Sequence, residues 1–307
     1  MRNRFEKLTE ALVRMIKLDR ALDEIKINQG RMLTAVEANT RKPRQLCDRE
    51  FKIFSQWGED GIIQFLIANL AIRHRTFIEF GVEDFFEANC RFLLMKDNWS
   101  GYVIDGSPSN IERLRSSYFY WRYPLQSKAA FITRENIDAL LAESGFDREP
   151  GILSVDIDGV DYYVLEALRD WRPSILIVEY NAVFGSRRAV TVPYDPQFQR
   201  TRRHHSNLYY GASLPAFLSL ANERGYALVG VNSVGSNAFF VRRDLLNDVV
   251  CEVDAAACFR DSTFRESRDA QAELTFLSGN DRRRVIADMP LIDVQSGESL
   301  YVRDLAD

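Results

Sequence analysis

The sequence predicts an open, mostly parallel α/β sheet with helices on both faces, and three features predict it. The runs FIEF, YVI, ILSV and ILIV are predominantly apolar, as strands of a sheet covered on both sides are. Helix-like stretches alternate with them, which is the βα signature. Each run also leads into acidic residues: Gly81-Val82-Glu83-Asp84 after FIEF, Asp105 after YVI, Asp156-Ile157-Asp158 after ILSV, and Glu179 after ILIV. Parallel strands point one way, so these acidic ends fall on one edge, the edge where open α/β folds bind ligands.

The elements follow in order. The first 42 residues hold no Pro and one Gly, Gly30, with apolar residues at Phe5, Leu8, Leu12, Met15, Leu18, Leu22, Ile25, Met32 and Val36. That spacing predicts one long amphipathic helix, although Leu18 breaks strict heptad phase after Met15 and Gln29 takes a seam position. The helix is expected either to pair with its copy, giving a homo-oligomer, or to pack back on its own domain. Arg41-Lys42-Pro43-Arg44 reads as a hinge, since Pro disfavours helix at the residue before it, and residues 43–307 as the main domain. There EDGIIQFLIANLA predicts a helix before strand FIEF, and EANCRFLLMKDN a helix before YVID. PSNIERLRSSY and ENIDALLAESG predict helices before GILSVD, and DYYVLEALRDW one that ends at Pro173. Ser213 is the expected N-cap of LPAFLSLANER, with Gly225 as its stop. ALVGVNSV and NAFFVRR around Gly235-Ser236 read as a hairpin, so the sheet ends with a reversed strand. From about Asp254 onward the pattern is mixed and predicts nothing specific.

With 307 residues, 46% hydrophobic, 27% charged and a net charge of -4, the chain fits a soluble protein with one generous core and an appendage. The balance points to neither nucleic acid nor an anionic membrane. No run reaches the roughly 20 apolar residues of a membrane span, and no signal-peptide core is visible, so a cytoplasmic location is expected. Cys47, Cys90, Cys251 and Cys258 lack metal-ligand spacing and read as free, buried thiols.

A dinucleotide pyrophosphate needs a glycine-rich turn over a helix N-terminus. After FIEF the chain offers only Gly81, then Glu83, Asp84, Phe85 and Phe86, which oppose a pyrophosphate. S-adenosylmethionine fits better, because it joins an adenosine to a sulfonium cation and carries no phosphate. Asp105 is placed to accept from both ribose hydroxyls; capping of the following helix is the plain alternative for Glu79 and Asp105.

The segments SQWGEDGII, FIEFGVEDFFEANCRFLL, GYVIDGSPSNI, ILSVDIDGVDYYVLEAL and ILIVEYN together resemble the FkbM-type S-adenosylmethionine-dependent methyltransferases, from about Phe51 to Arg243. The resemblance implies a class I methyltransferase (Rossmann-like) fold and methyl transfer to hydroxyls on glycans or natural products. It places Glu79, Phe80 and Gly81 in the cofactor loop, and Asp105, Gly106 and Ser107 at the ribose. It puts Gln56 and Glu59 over the methionine end, and Thr133, Glu135 and Asn136 near the adenine. The chain departs from the family in keeping a single glycine in its loop and in carrying Asp158 where many relatives have Glu.

Asp156, Asp158 and Asp161 follow one strand, and Glu179 and Asn181 the next. If these strands are neighbours, Asp156, Asp158, Glu179 and Asn181 can share one Mg²⁺ or Mn²⁺ and leave positions for substrate oxygens. Such an ion would lower the pKa of a sugar hydroxyl and aim it at the methyl group. In the competing arrangement Asp156 contacts the cofactor while Asp158 and Asp161 cap the next helix. The loop SRRAVTVPYDPQFQRTRRHHSNLYYGAS reads as a lid or as a solvated loop. Arg187, Arg188, Arg200, Arg202 and Arg203 could hold an anionic acceptor, and His204 or His205 could serve as general base. His74 is expected to be exposed and idle. The sequence thus predicts a methyltransferase acting on a sugar hydroxyl, with Asp156, Asp158, Glu179, His204 and His205 as catalytic candidates. Its rivals are an NAD-dependent sugar-nucleotide enzyme and an idle methyltransferase fold recruited by the N-terminal helix.

Overall fold

The computed structural model of the chain describes residues 2–38 and 44–305. The first half of the chain forms α1 (Arg2–Ala38), α2 (Glu59–Asn69), β1 (Thr76–Phe80), α3 (Arg91–Asp97), β2 (Ser100–Asp105), α4 (Pro108–Ser116), β3 (Leu125–Ala129) and α5 (Ile137–Ala142). There follow β4 (Ile152–Val155), α6 (Asp161–Ala167), β5 (Ile175–Glu179), β6 (Val190–Thr191), α7 (Arg200–Arg203), α8 (Leu214–Glu223), β7 (Tyr226–Val231) and β8 (Asn237–Arg242). The chain closes with α9 (Ala255–Cys258), α10 (Asn280–Val285), β9 (Pro290–Asp293) and β10 (Ser299–Tyr301). The expected hinge lies outside the described residues, apart from Arg44.

A seven-stranded sheet runs in the order β3-β2-β1-β4-β5-β8-β7. The chain travels outward through β1, β2 and β3, then returns to place β4 on the other side of β1, so the topological switch point lies between β1 and β4. β8 is antiparallel to both β5 and β7. It is the reversed strand expected from the hairpin, and it sits second from the edge, with β7 outside it. Alternate residues feed two cores. Ile78, Phe80, Ile104, Val155 and Val178 face one side, and Phe77, Val103, Ile152, Ile175 and Ile177 the other. Two buried faces leave little room for polar residues, which is why these strands read as apolar runs broken only by Glu79 and Ser154.

Local chemistry explains the helix ends. Ser107 and Ser213 cap α4 and α8, accepting from the backbone N–H of Asn110 and Ala216, and Gly225 ends α8 at φ +79°. α3 starts at Arg91, later than EANC predicts, because the Glu79 carboxylate takes the N–H groups of Asn89 and Cys90 and holds that stretch as a turn. The sequence reading missed β3, an edge strand in which only Leu125 is buried. In the C-terminal region β9 and β10 join β6 in a small antiparallel sheet, β10-β9-β6, whose Leu291, together with Ile286 and Val302, joins the main core. Of the four thiols Cys90 is buried and Cys251 exposed, with Cys47 and Cys258 between, so general burial of the cysteines does not hold. No described helix is long and apolar enough to cross a membrane.

Candidate active site

The carboxyl ends of β1, β2, β4 and β5 open into a cavity of about 750 Å³. Its lining carries the acids Glu79, Glu83, Glu87, Asp105, Asp156, Asp158, Glu179 and Glu266, against a single guanidinium, Arg200, among the described residues. The four acidic strand ends of the sequence therefore share one pocket.

The half around β1 and β2 is built by tight loops. Gly81 has φ +67°, and a Cβ there would lie 1.7 Å from the Asp156 carbonyl oxygen. Glycine is thus required because the loops after β1 and β4 touch across the switch point. Asp105 accepts from the N–H of Glu83 and Ser107 and from Asn110 Nδ2, at 2.8, 2.8 and 3.0 Å. Its two oxygens offer about four acceptor positions, so roughly one faces the cavity beside Gly106. Phe131, 45% exposed, and Ile132 form an apolar wall near Gly106. Glu79 lines the floor, and burial pushes its carboxyl up to about 7 despite the donors Cys90 and Asn89.

The half around β4 and β5 carries the denser charge. Asp156, Asp158 and Glu179 each bring one carboxylate oxygen within 4.8 Å of the others. Burial, then the charges of Asp158 and Asp161, pushes Asp156 well above the usual carboxylate range. Burial and Asp156 do the same to Glu179. Two carboxyl groups this close disfavour each other's ionisation, which favours a proton shared between them. Glu179 Oε2 is buried without a hydrogen-bond partner, while Oε1 receives only a 3.3 Å bond from the Tyr210 hydroxyl. Asp158, at φ +53°, turns out from the strand to meet Arg200 Nη1 at 2.5 Å. The Arg200 guanidinium lies over the Tyr210 ring, 4.1 Å from its centre. The three acids suit a hard divalent cation: they are all-oxygen donors, and one buried oxygen has no protein partner.

Several predicted site residues lie elsewhere. Asn181 donates to the carbonyls of Leu208 and Tyr210 and accepts from Val183 N–H, so its amide is spent holding a loop and it drops out of the metal set. His204 bonds Ser206 and stacks on His205 at 4.2 Å; neither ring lines the cavity, which removes both as base candidates. Glu59 accepts from Trp57 and Gly58 N–H and from the amides of Asn232 and Asn237. It therefore positions Asn237, which lines the cavity, rather than meeting a ligand itself. Asn136 accepts from Thr133 N–H and donates to the Phe131 carbonyl, so Thr133 and Asn136 shape the loop whose Phe131 and Ile132 reach the pocket. Glu135 is exposed and paired with Tyr194 and Arg134. Ser107 caps α4, while Gln56, Phe80 and Gly106 line the cavity as expected from their segments. Of the five arginines only Arg200 reaches the pocket, and the loop carrying them is packed through Val190, Val192, Phe198 and Tyr209 instead of standing free as a lid. Asp161 is buried and accepts from Ile157 and Gly159 N–H, the capping role weighed for it. Sequence reasoning passed over Asn110, Phe131, Trp57 and Phe264, all at the cavity. Trp57 within QWGED was the one visible signal among them.

An open sheet in the order 3-2-1-4-5 followed by an inserted antiparallel strand, with the acidic pocket at its switch point, is the class I methyltransferase fold. No family model matches the chain, and no curated protein matches it. Among solved structures it is similar to an O-methyltransferase family protein from Burkholderia thailandensis, at 12% identity over 60% of this chain and 57% of that one, with a TM-score of 0.37. It is similar also to the carbon methyltransferase CurJ (10%, 60% and 52%, TM-score 0.39) and to the CMeT domain of citrinin polyketide synthase (11%, 60% and 51%, TM-score 0.36). The chain spans about half the length of these structures. The likenesses are distant, and the pocket's chemistry carries the functional reading.

Proposed function

We propose that the chain is an FkbM-type enzyme that transfers a methyl group from S-adenosylmethionine to a hydroxyl of a sugar or similar polyhydroxylated acceptor. The observation that carries this reading is the acidity of the pocket: among the described residues eight acidic side chains face one guanidinium at the switch point of the sheet. A pyrophosphate would meet repulsions of about 4 kcal/mol for each close like-charge pair, which disfavours a nicotinamide dinucleotide. A phosphate-free nucleoside bearing a cationic sulfonium meets attraction instead.

In this reading Asp105 and Asn110 hold the ribose, and Phe131 with Ile132 covers the base. When bound, the cofactor supplies an electrophilic methyl carbon beside a neutral leaving group. The acceptor enters past Trp57 and Phe264, whose stacked rings lie 5.8 Å apart, a platform for the apolar face of a sugar. Gln56, Ser236, Asn237 and Glu266 surround it with hydrogen-bonding groups. The acceptor oxygen would bond the methyl carbon as the carbon–sulfur bond broke, and in the metal-free site its proton would pass to the ionised carboxylate of the Asp156–Glu179 pair, whose raised pKa values suit a general base. In place of that proton, Asp156, Asp158 and Glu179 would, as ionised ligands, hold a divalent cation that makes the hydroxyl more acidic, Asp158 exchanging Arg200 for the ion.

Calorimetric titration with S-adenosylmethionine and with NAD, each with and without Mn²⁺, tests the reading. Binding of S-adenosylmethionine alone supports it; binding of NAD and not S-adenosylmethionine overturns it.

A further inference from the structure

The long N-terminal helix has two faces with different fates. On one, Asp23 and Ile27 are buried, Asp23 pairs with Arg91 and accepts from the Tyr118 hydroxyl, and Gly30 lies so near Phe92 that a Cβ would fall 2.3 Å from the ring. These contacts fix the rotation of α1 about its axis. On the other face Met15, Leu18, Leu22, Ile25, Met32 and Val36 are 47 to 71% exposed. With Gln29 they recur at alternating steps of three and four from Met15 to Val36, the a and d positions of three heptads. The phase change at Met15 thus marks where an unbroken seam begins. Arg14, Met15 and residues 17–22 are all exposed, so this part of the helix takes no cover from its own domain, although an uncovered helix is marginal in water. A shallow apolar groove of about 420 Å³ runs along Ile25, Met32 and Val36.

We infer that this stripe pairs with the same stripe of a second copy of the chain, as a parallel, in-register, two-stranded coiled coil. Register decides the orientation. In parallel pairing Gln29, at an a position, faces Gln29 of the partner subunit, polar against polar. An antiparallel pair would set it against an apolar d residue such as Leu18 or Ile25, stranding its amide. Charge fits as well: Arg14 at g faces Asp19 of the partner subunit at e, twice by symmetry, and both residues are exposed. Lys26, the next charged e residue, is committed over the Phe54 and Phe86 rings. The pairing is independent of the reaction assigned to the pocket.

Light scattering on the full chain should give twice the 35.4 kDa chain mass. The double variant Leu22→Glu, Ile25→Glu should weaken association by at least about a hundredfold through charge at adjacent seam layers, with its melting temperature below dimer concentrations unchanged because both positions are exposed. In a Cys251→Ser background, Ile25→Cys should form a disulfide between identical positions on oxidation. A monomeric wild type, a double variant that keeps the wild-type mass, or a dimer that fails to cross-link at residue 25 would overturn the pairing. So would a monomer that binds vesicles of anionic phospholipid through the stripe.

Discussion

Glu179→Gln separates the two roles given to the acidic pair. The substitution keeps the volume, removes one charge and lets the new amide donate toward Asp156, imitating the shared proton. With oxygens within 4.8 Å, two ionised carboxylates would repel by about 3 to 4 kcal/mol at an effective dielectric of 20. The folded pKa values of Asp156 and Glu179 are raised, so their contribution to stability is whole below the unfolded values and is lost as pH rises through the folded ones. The variant escapes that loss. Its metal-free melting temperature should exceed that of the wild type at pH 8 by roughly 3 to 10 °C, from about 1 to 3 kcal/mol, with the gain shrinking toward pH 5. Mn²⁺ should act in the opposite sense. Loss of one anionic ligand lowers affinity by at least about tenfold, which removes about 1.4 kcal/mol from any stabilisation by the ion. Scanning calorimetry at both pH values, with chelator and with Mn²⁺, reads both effects, and titration with S-adenosylmethionine should show its affinity unchanged. A variant that melts like the wild type at both pH values and gains as much from Mn²⁺ would refute the proton sharing and the metal set together.

Three further outcomes follow from the same geometry. Asp105→Ala should weaken S-adenosylmethionine binding by about 2 to 3 kcal/mol, tens- to hundredfold, by removing a ribose acceptor and releasing the Glu83 loop and the first turn of α4 at Asn110; unchanged affinity in a folded variant would take Asp105 away from the ribose. Gly81→Ala should destabilise by about 2 to 5 kcal/mol, since its Cβ meets the Asp156 carbonyl and its φ is positive; an unaltered melting temperature would mean the two loops part freely. Burial raises Glu79 from 4.5 to about 7, so its share of stability, about 3 kcal/mol, should be lost as pH rises from roughly 4.5 to 7. Denaturant titration of Glu79→Gln should show a flatter profile across that window, and wild-type stability that climbs from pH 5 to pH 8 would contradict the assignment.

The parts of the fold legible in the sequence are those whose environment leaves one choice. FIEF, YVID, ILSV and ILIV are covered on both faces, so composition reports them directly. LQSKA is not legible, because an edge strand with one buried residue keeps its polar side chains. Nor is the two-residue β6, which is held by distant partners, β9 near the chain's end and a bridge from Thr191 to Ala212. The site divides along a related line. Position at a strand end was enough to gather Glu79, Asp105, Asp156 and Glu179, whereas Asn181 at a strand end turned inward and the two histidines packed on each other. Sequence position gives no side-chain direction. What distinguishes the acids physically is who satisfies them. Asp60 takes three backbone N–H groups, Glu59 takes two with two amides, and Asp161 takes two; these carboxylates are staples that hold loops. Asp156 and Glu179 take no backbone N–H among the described residues, and one Glu179 oxygen is buried without a partner. Desolvated charge without donors is costly in a folded chain, and a proton, a cation or a reacting hydroxyl relieves that cost. The unsatisfied pair, more than the count of acids around it, therefore locates the chemistry.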